Sequence, residues 1–350
     1  MNAPVTHLLP LTSIHRGRML EGHGKVLVRV GQEVSAVEVI AEESSPNEHL
    51  LIDVPSALGL AQEQFSKDLL ACKEGDRVEE GDVIAEAKKI FQRILRAPAA
   101  GSIVMVSGGL VILEVRNAPI RLQAGYTGSV VDVIPDRGAI LEATGALLQG
   151  IWGNGRINQG LLKILVDDPY GEVKADHLDL NLRGGVVLIG HCSDASVLRA
   201  AQELPLNGLI LGSMRADLIP VAENVEFPVI LLEGFGRIPV NDAAFKILRG
   251  SENRDISLNA APANPYRGER PELFIPLQEK GEYPQETAAF KDGQTVRILS
   301  APHQGAIGKL EEIHFEPVLL ANGLRVKAAT ILLQNDERVP VPLNNIEVIN

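Results

Sequence analysis

Apolar and polar positions alternate with a period of two through most of the first 170 residues, in short runs cut by glycine. That pattern predicts half-buried strands joined by tight turns rather than helices. Turns are expected at Gly75-Asp76 and Gly81-Asp82, and a Pro98 to Gly101 corner opens another strand. The run repeats itself. Gly31-Gln32-x-Val34 matches Gly75-Asp76-x-Val78, and Val39-Ile40-Ala41-Glu42 matches Val83-Ile84-Ala85-Glu86, an offset of 44 residues. A second echo, offset by 27, aligns Ala97 and 101–106 with Ala124 and 128–133. The expectation is two interlocked copies of one all-strand unit sharing a single interior. Residues 55–71 are the one helical interlude, inserted between the copies.

The pattern changes after residue 170. Residues 185–189 form a wholly apolar strand, and 193–204 has helical spacing with Ser193 or Asp194 as N-cap. Strands at 208–211 and 228–232 alternate with helices at 214–223 and 242–248. Alternating units of this length predict a parallel sheet with right-handed crossovers. Residues 251–289 hold five prolines and little periodicity, as a linker would. Strand periodicity returns in 290–350.

Composition adjusts this picture modestly. A chain of 350 residues exceeds one ordinary core, so several domains are expected. Aromatic residues make up 4%, with one Trp, so the interiors must be built from Val, Ile, Leu and Ala. The net charge of -12 argues against nonspecific binding to nucleic acid or anionic membranes. Cys72 and Cys192 fall in different predicted domains and suggest no disulfide framework. The start of the chain lacks a charged segment followed by an apolar one, and no apolar run reaches about 18 residues. A cytoplasmic protein without membrane insertion is therefore expected.

Two resemblances sharpen the fold. The segment from Gly75-Asp76-x-Val78 through Gly81, followed by Ala97-Pro98-x-x-Gly101, resembles biotinyl and lipoyl carrier domains, which are barrel-sandwich hybrids. The segments Val296-x-Ile298, Gly305-Ala306-Ile307-Gly308 and Leu310-x-x-Ile313, with Val339–Glu347 downstream, resemble a KOW motif in an SH3-like barrel. The expected class is a multi-domain, β-rich α+β protein. It comprises a barrel-sandwich hybrid over 1–170, a small parallel α/β domain over 171–250, a linker over 251–289 and an SH3-like barrel over 290–350.

The carrier resemblance implies a modifiable lysine at Lys89, within Glu86-Ala87-Lys88-Lys89-Ile90. The methionines that flank such a lysine are replaced by Lys88 and Ile90, so a solvated hairpin without biotin or lipoyl is the preferred reading. In the α/β domain the strand ends carry His191, Cys192 and Ser193, then Ser213, then Glu233, Phe235 and Arg237. Ligands in open parallel sheets bind outside such ends. Cys192 at a helix start is a candidate for a lowered pKa, and Phe235 between two glycines for an exposed contact residue. Trp152 reads as a core plug rather than a stacking residue. Neither phosphate-loop spacing occurs, no histidine pair has metal-ligand spacing, and no catalytic constellation is evident. KOW families bind RNA or proteins, but here six Lys/Arg against seven Asp/Glu make the barrel nearly neutral. The sequence is read as a non-catalytic adaptor or scaffold that binds protein partners in a larger complex. Nucleic-acid association through 290–350 is one alternative. A carrier or small-ligand enzyme using Lys89 or the strand-end crevice is another.

Overall fold

In the computed structural model, residues 2–43, 47–88, 92–115, 118–264, 269–285 and 287–350 are described. The chain is β-rich, with 47% strand and 14% helix, and divides into two compact units. One comprises Met1–Met19, Val26–Ile40 and Leu122–Asn350, and the other Leu20–Lys25 and Ala41–Arg121.

The smaller unit has a four-stranded sheet in the order Glu48–Asp53, Leu110–Val115, Gly101–Ser107, Arg77–Val78. Beside it lies the hairpin Val83–Lys88 with Gln92–Arg96. Inward-facing Val78, Ile84, Ile103, Val111 and Leu113 form its core with Val54 and Leu58. The last two come from a one-turn helix, Val54–Leu58, which follows from local chemistry. Asp53 caps it by accepting from Ser56 N at 3.0 Å, Pro55 occupies the first turn, and Gly59 ends it in the left-handed region at φ 62°.

The larger unit is organised by a twelve-stranded mixed sheet. Five of its strands run parallel: Ile157–Ile164, Gly185–Leu188, the short His191–Cys192, Gly208–Met214 and Val229–Phe235. The predicted helices appear as Ala195–Glu203, Ile219–Asn224 and Asp242–Arg249. Asp194 rather than Ser193 caps the first, accepting from Ser196 N at 2.7 Å. Almost every side chain on the three strands after Gly185 is buried, as expected for strands covered on both faces.

Three expectations are corrected. The repeated segments do not interlock into one sandwich. Val34 pairs with Gly128 and belongs to a small core with Ile40, Ala124, Val130, Ala139 and Leu141 in the larger unit. Val78 pairs with Gly101 in the core of the smaller unit. Each copy is complete: Gly31 N donates to Val130 O at 2.7 Å, just as Gly75 N donates to Ile103 O at 2.7 Å. The offsets of 44 and 27 are therefore the front and back halves of one duplicated unit. The second copy is nested inside the first, which reverses the order of the back halves.

The segment 251–289 is also more than a linker. It contributes Asp255–Asn259 and Glu272–Pro276, two nearly fully buried strands of the large sheet, because Ile256, Leu258, Leu273, Phe274 and Ile275 have a core to enter. Finally, Ile157–Ile164 pairs in parallel with Gly185–Leu188, so the parallel sheet begins before the expected boundary near 170.

The C-terminal residues form a seven-stranded sheet that also takes in the N-terminal strand Asn2–Thr6. Val5 and Thr6 pair in parallel with Val348 and Ile349, and Ala3 and Val5 join the core of Val296, Leu310, Ile331, Val341 and Val348. Without that strand the Ile346–Ile349 edge would be bare.

Candidate functional site

The three strand ends singled out by the sequence do converge. Gly190 adopts φ 68°, and a Cβ there would sit 2.1 Å from Gly171 O, so only glycine fits. This turn carries the chain into His191-Cys192, which pairs with Ser213-Met214; those residues in turn pair with Gly234-Phe235.

What they converge on is their own polar groups. The Ser213 hydroxyl donates to Ile238 O at 2.6 Å and accepts from Ile238 N at 3.1 Å. Its one proton being spent, the 2.9 Å contact with His191 has Nδ1–H as donor, which assigns the tautomer. Burial pushes the His191 pKa below the ordinary imidazole value, with Glu172 opposing and Arg237 adding to the shift. His191 is therefore a neutral, anchored ring.

Cys192 is fully buried, and burial pushes its thiol up to about 11, with neighbouring Asp194 and Glu172 adding to the rise. This corrects the expectation of a lowered pKa. The helix start does not offset the loss of solvent, so the thiol stays protonated. Ser193 donates to Glu172. Phe235 is half-buried and packs edge-on against Trp152, ring centroids 6.2 Å apart, so both aromatics plug the end of the sheet. Arg237 faces solvent, 3.7 Å from Glu172. Lys89 lies outside the described residues.

Glu233 is the end of a buried ionic line. Its Oε1 accepts from Asn241 N at 2.9 Å, and its Oε2 is 2.9 Å from Nη2 of Arg297, a side chain that is 1% exposed. The Nη2 contact is at ion-pair distance but off hydrogen-bond direction, and Nε of Arg297 has no hydrogen-bond partner. Nη1 of Arg297 donates to Glu347 at 3.1 Å, and Glu347 also accepts from Thr6 Oγ1 at 2.9 Å and from Arg270 at 3.2 Å. Burial raises the Glu233 pKa and nearby Glu347 adds to it, outweighing the pull of Arg297 and Asn241 N–H. An arginine from the C-terminal sheet thus closes the strand end at Glu233.

Sequence reasoning missed Arg297, and it missed a second buried network. Glu272 accepts from Arg16 at 2.8 and 3.1 Å, from Tyr126 Oη at 2.6 Å and from Gln149 at 2.8 Å, while Asn259 donates to Tyr126 Oη at 3.0 Å. Burial would raise the Glu272 pKa, but Arg16, Tyr126 and Gln149 outweigh it and hold the carboxyl low. Burial and the neighbouring Glu272 charge push the Tyr126 phenol far above its usual range. The available signal was a lone charge inside an apolar strand: Arg297 between Val296 and Ile298, and Glu272 before Leu273-Phe274.

An open cleft of about 390 Å³ lies beside the strand ends, lined by Tyr170, Arg237, Asn241, Asp242, His303 and Gln304 among others. On the C-terminal sheet, Arg297 is buried and Arg338 is held bidentately by Glu311 at 2.7 and 2.8 Å, so two of its six basic residues are engaged with carboxylates. Among the described residues no His, Cys, Asp or Glu group is placed to hold a metal ion, and no helix is long and apolar enough to cross a membrane. No family model matches the chain, and no curated protein matches it.

Proposed function

We propose that this chain is a non-catalytic adaptor or scaffold that binds protein partners within a larger complex. The observation that carries this reading is the hairpin of Val318–Leu319 with Arg325–Val326 on the C-terminal part of the chain. Phe315 just ahead of it and Leu319 and Leu324 within it are 87%, 62% and 57% exposed. Three large apolar side chains on one short arm cost solvation unless a partner covers them. Beside the arm, Leu320, Ala321 and Val339–Pro342 line an open groove of about 390 Å³. The interlocked sandwich expected from the sequence lends this reading no support, since the copies are nested and have separate cores.

The test is site-specific photo-crosslinking from position 319 of the full chain in its source cells, with position 161 as an exposed control. A discrete protein adduct from 319 alone is expected. Adducts no stronger than the control would overturn the reading.

The solvent-facing Arg237 beside the open cleft favours a second reading, retention of a small anion there. Native mass spectrometry of the purified chain would show the added mass, and Arg237→Ala would abolish it.

A further inference from the structure

The smaller unit ends its sheet on the strand Glu48–Asp53, and among the described residues no strand pairs with its outer side. Native edges are usually blunted by Lys, Pro or a bulge. This edge reads Glu-His-Leu-Leu-Ile-Asp and pairs with Leu110–Val115 in unbroken register. Its central Leu51 is 65% exposed. Leu51 lies opposite Ile112, and Ile112 opposite Met105, which is 44% exposed, so an apolar row crosses three strands and stops at the edge. Leu50 and Ile52 reach the core from the same strand yet are only partly buried.

The direction of the backbone groups follows from one hydrogen bond. Val54 N donates to Gly109 O at 3.0 Å, in register with the ladder. In an antiparallel pair such bonded positions alternate, so Ile52 and Leu50 also bond inward. Leu51 and His49 then present N–H and C=O outward, and Asp53 its N–H, because the Asp53 C=O opens the helix Val54–Leu58.

We propose that the protein forms a symmetric dimer in which this strand pairs antiparallel with the same strand of a second copy, Leu51 lying on the two-fold axis. The occupant is identified by self-complementarity. Outward groups can meet only in registers that oppose odd-numbered residues. With Leu51 opposite Leu51, His49 faces Asp53 of the second copy and Leu50 faces its Ile52. An imidazole meets a carboxylate at both ends, and apolar meets apolar on both faces. A shift by one pair sets His49 against Leu51 and Glu48 against Ile52, losing the imidazole–carboxylate match and keeping only Leu50 against its own copy on the other face. The central register makes about four new backbone hydrogen bonds. It also joins the apolar rows of the two sheets into one and covers the open ends of both cores, giving an isologous interface. The inference is independent of the C-terminal arm and of any function proposed for it.

Sedimentation equilibrium of the full chain across the micromolar range tests this, with far-UV circular dichroism as the folding control. The wild type is expected to be a dimer. Leu51→Pro removes an outward N–H while sparing the inward ladder, and Leu51→Glu opposes like charges on the axis. Both should weaken the dimer at least tenfold, roughly 1.4 kcal/mol or more, while Leu161→Glu, an exposed change elsewhere, should not. Leu51→Cys should cross-link on mild oxidation, because opposed Cα atoms in such a pair lie about 5.5 Å apart. Leu50→Cys, facing Ile52, should not, and Cys72 and Cys192 are buried. If Leu51→Pro fails to fold, Leu51→Glu and the cysteine pair still decide the matter. A wild type that stays monomeric, including one that takes up a strand from another protein, overturns the inference. So does a dimer that survives Leu51→Glu, or a Leu51→Cys protein that does not cross-link.

Discussion

Glu233 and Glu272 are both buried strand glutamates with an arginine nitrogen within 2.9 Å, yet their carboxyls shift in opposite directions. Glu272 has two nitrogens of Arg16 in bidentate contact, a phenol and an amide, so every lone pair it lost from water is replaced. Glu233 has one backbone N–H and one misdirected guanidinium nitrogen, and that guanidinium is shared with Glu347. The number and aim of the donors decide the sign, because the desolvation cost is similar for both and the Coulomb attraction to one arginine does not cover it alone.

The severest test of this contrast is Arg297→Met. It leaves Glu233 and Glu347 buried without their shared cation, and a loss of about 3–5 kcal/mol is expected. Trp152, the only Trp, packs against the large core and reports unfolding of that unit by fluorescence in urea. A change below about 1 kcal/mol would mean that the cation contributes little net attraction. Next in size is Tyr126→Phe, which strips Glu272 and Asn259 of a partner each and should cost about 1–3 kcal/mol in the same assay.

The pH dependence separates the two sites by sign. Glu272 has its folded pKa lowered, so its stabilisation is complete above the unfolded value near 4.5 and is lost as pH falls through the folded value. Glu233 has its folded pKa raised, so stability declines as pH climbs from about 4.5 through the folded value. The cost of Glu272→Gln should therefore grow with rising pH, and that of Glu233→Gln should shrink, each by at most about 1.4 kcal/mol per pH unit. Parallel slopes in urea titrations from about pH 3 to 7, which span both windows, would sink the contrast. The smallest expected effect is Thr6→Val, removing one hydrogen bond to Glu347 and one from the partly exposed Arg270 for about 0.5–1.5 kcal/mol. A cost equal to that of Arg297→Met would make Thr6, not the arginine, the anchor of the line.

The sequence by itself determined the local grammar of this protein. Gly-punctuated alternation marked strands, and the three βα units at 185–248 were legible because apolar runs and capping residues are short-range signals. The duplication was legible too. Nesting was not, since such similar turns cannot say which back half each front half pairs with; only burial of Val34 with Val130, and of Val78 with Ile103, decides it. Tertiary structure alone placed residues 255–259 and 272–276 inside a sheet, because a proline-rich composition hides strands whose outer partners, at 157–161 and 145–149, lie about a hundred residues or more away. It also turned the strand-end crevice into a packed polar seam. His191, Ser213 and Glu233 were found by position, but their fate depended on Ile238, Asn241 and Arg297. The charge state of a buried group is set by neighbours that no local spacing announces.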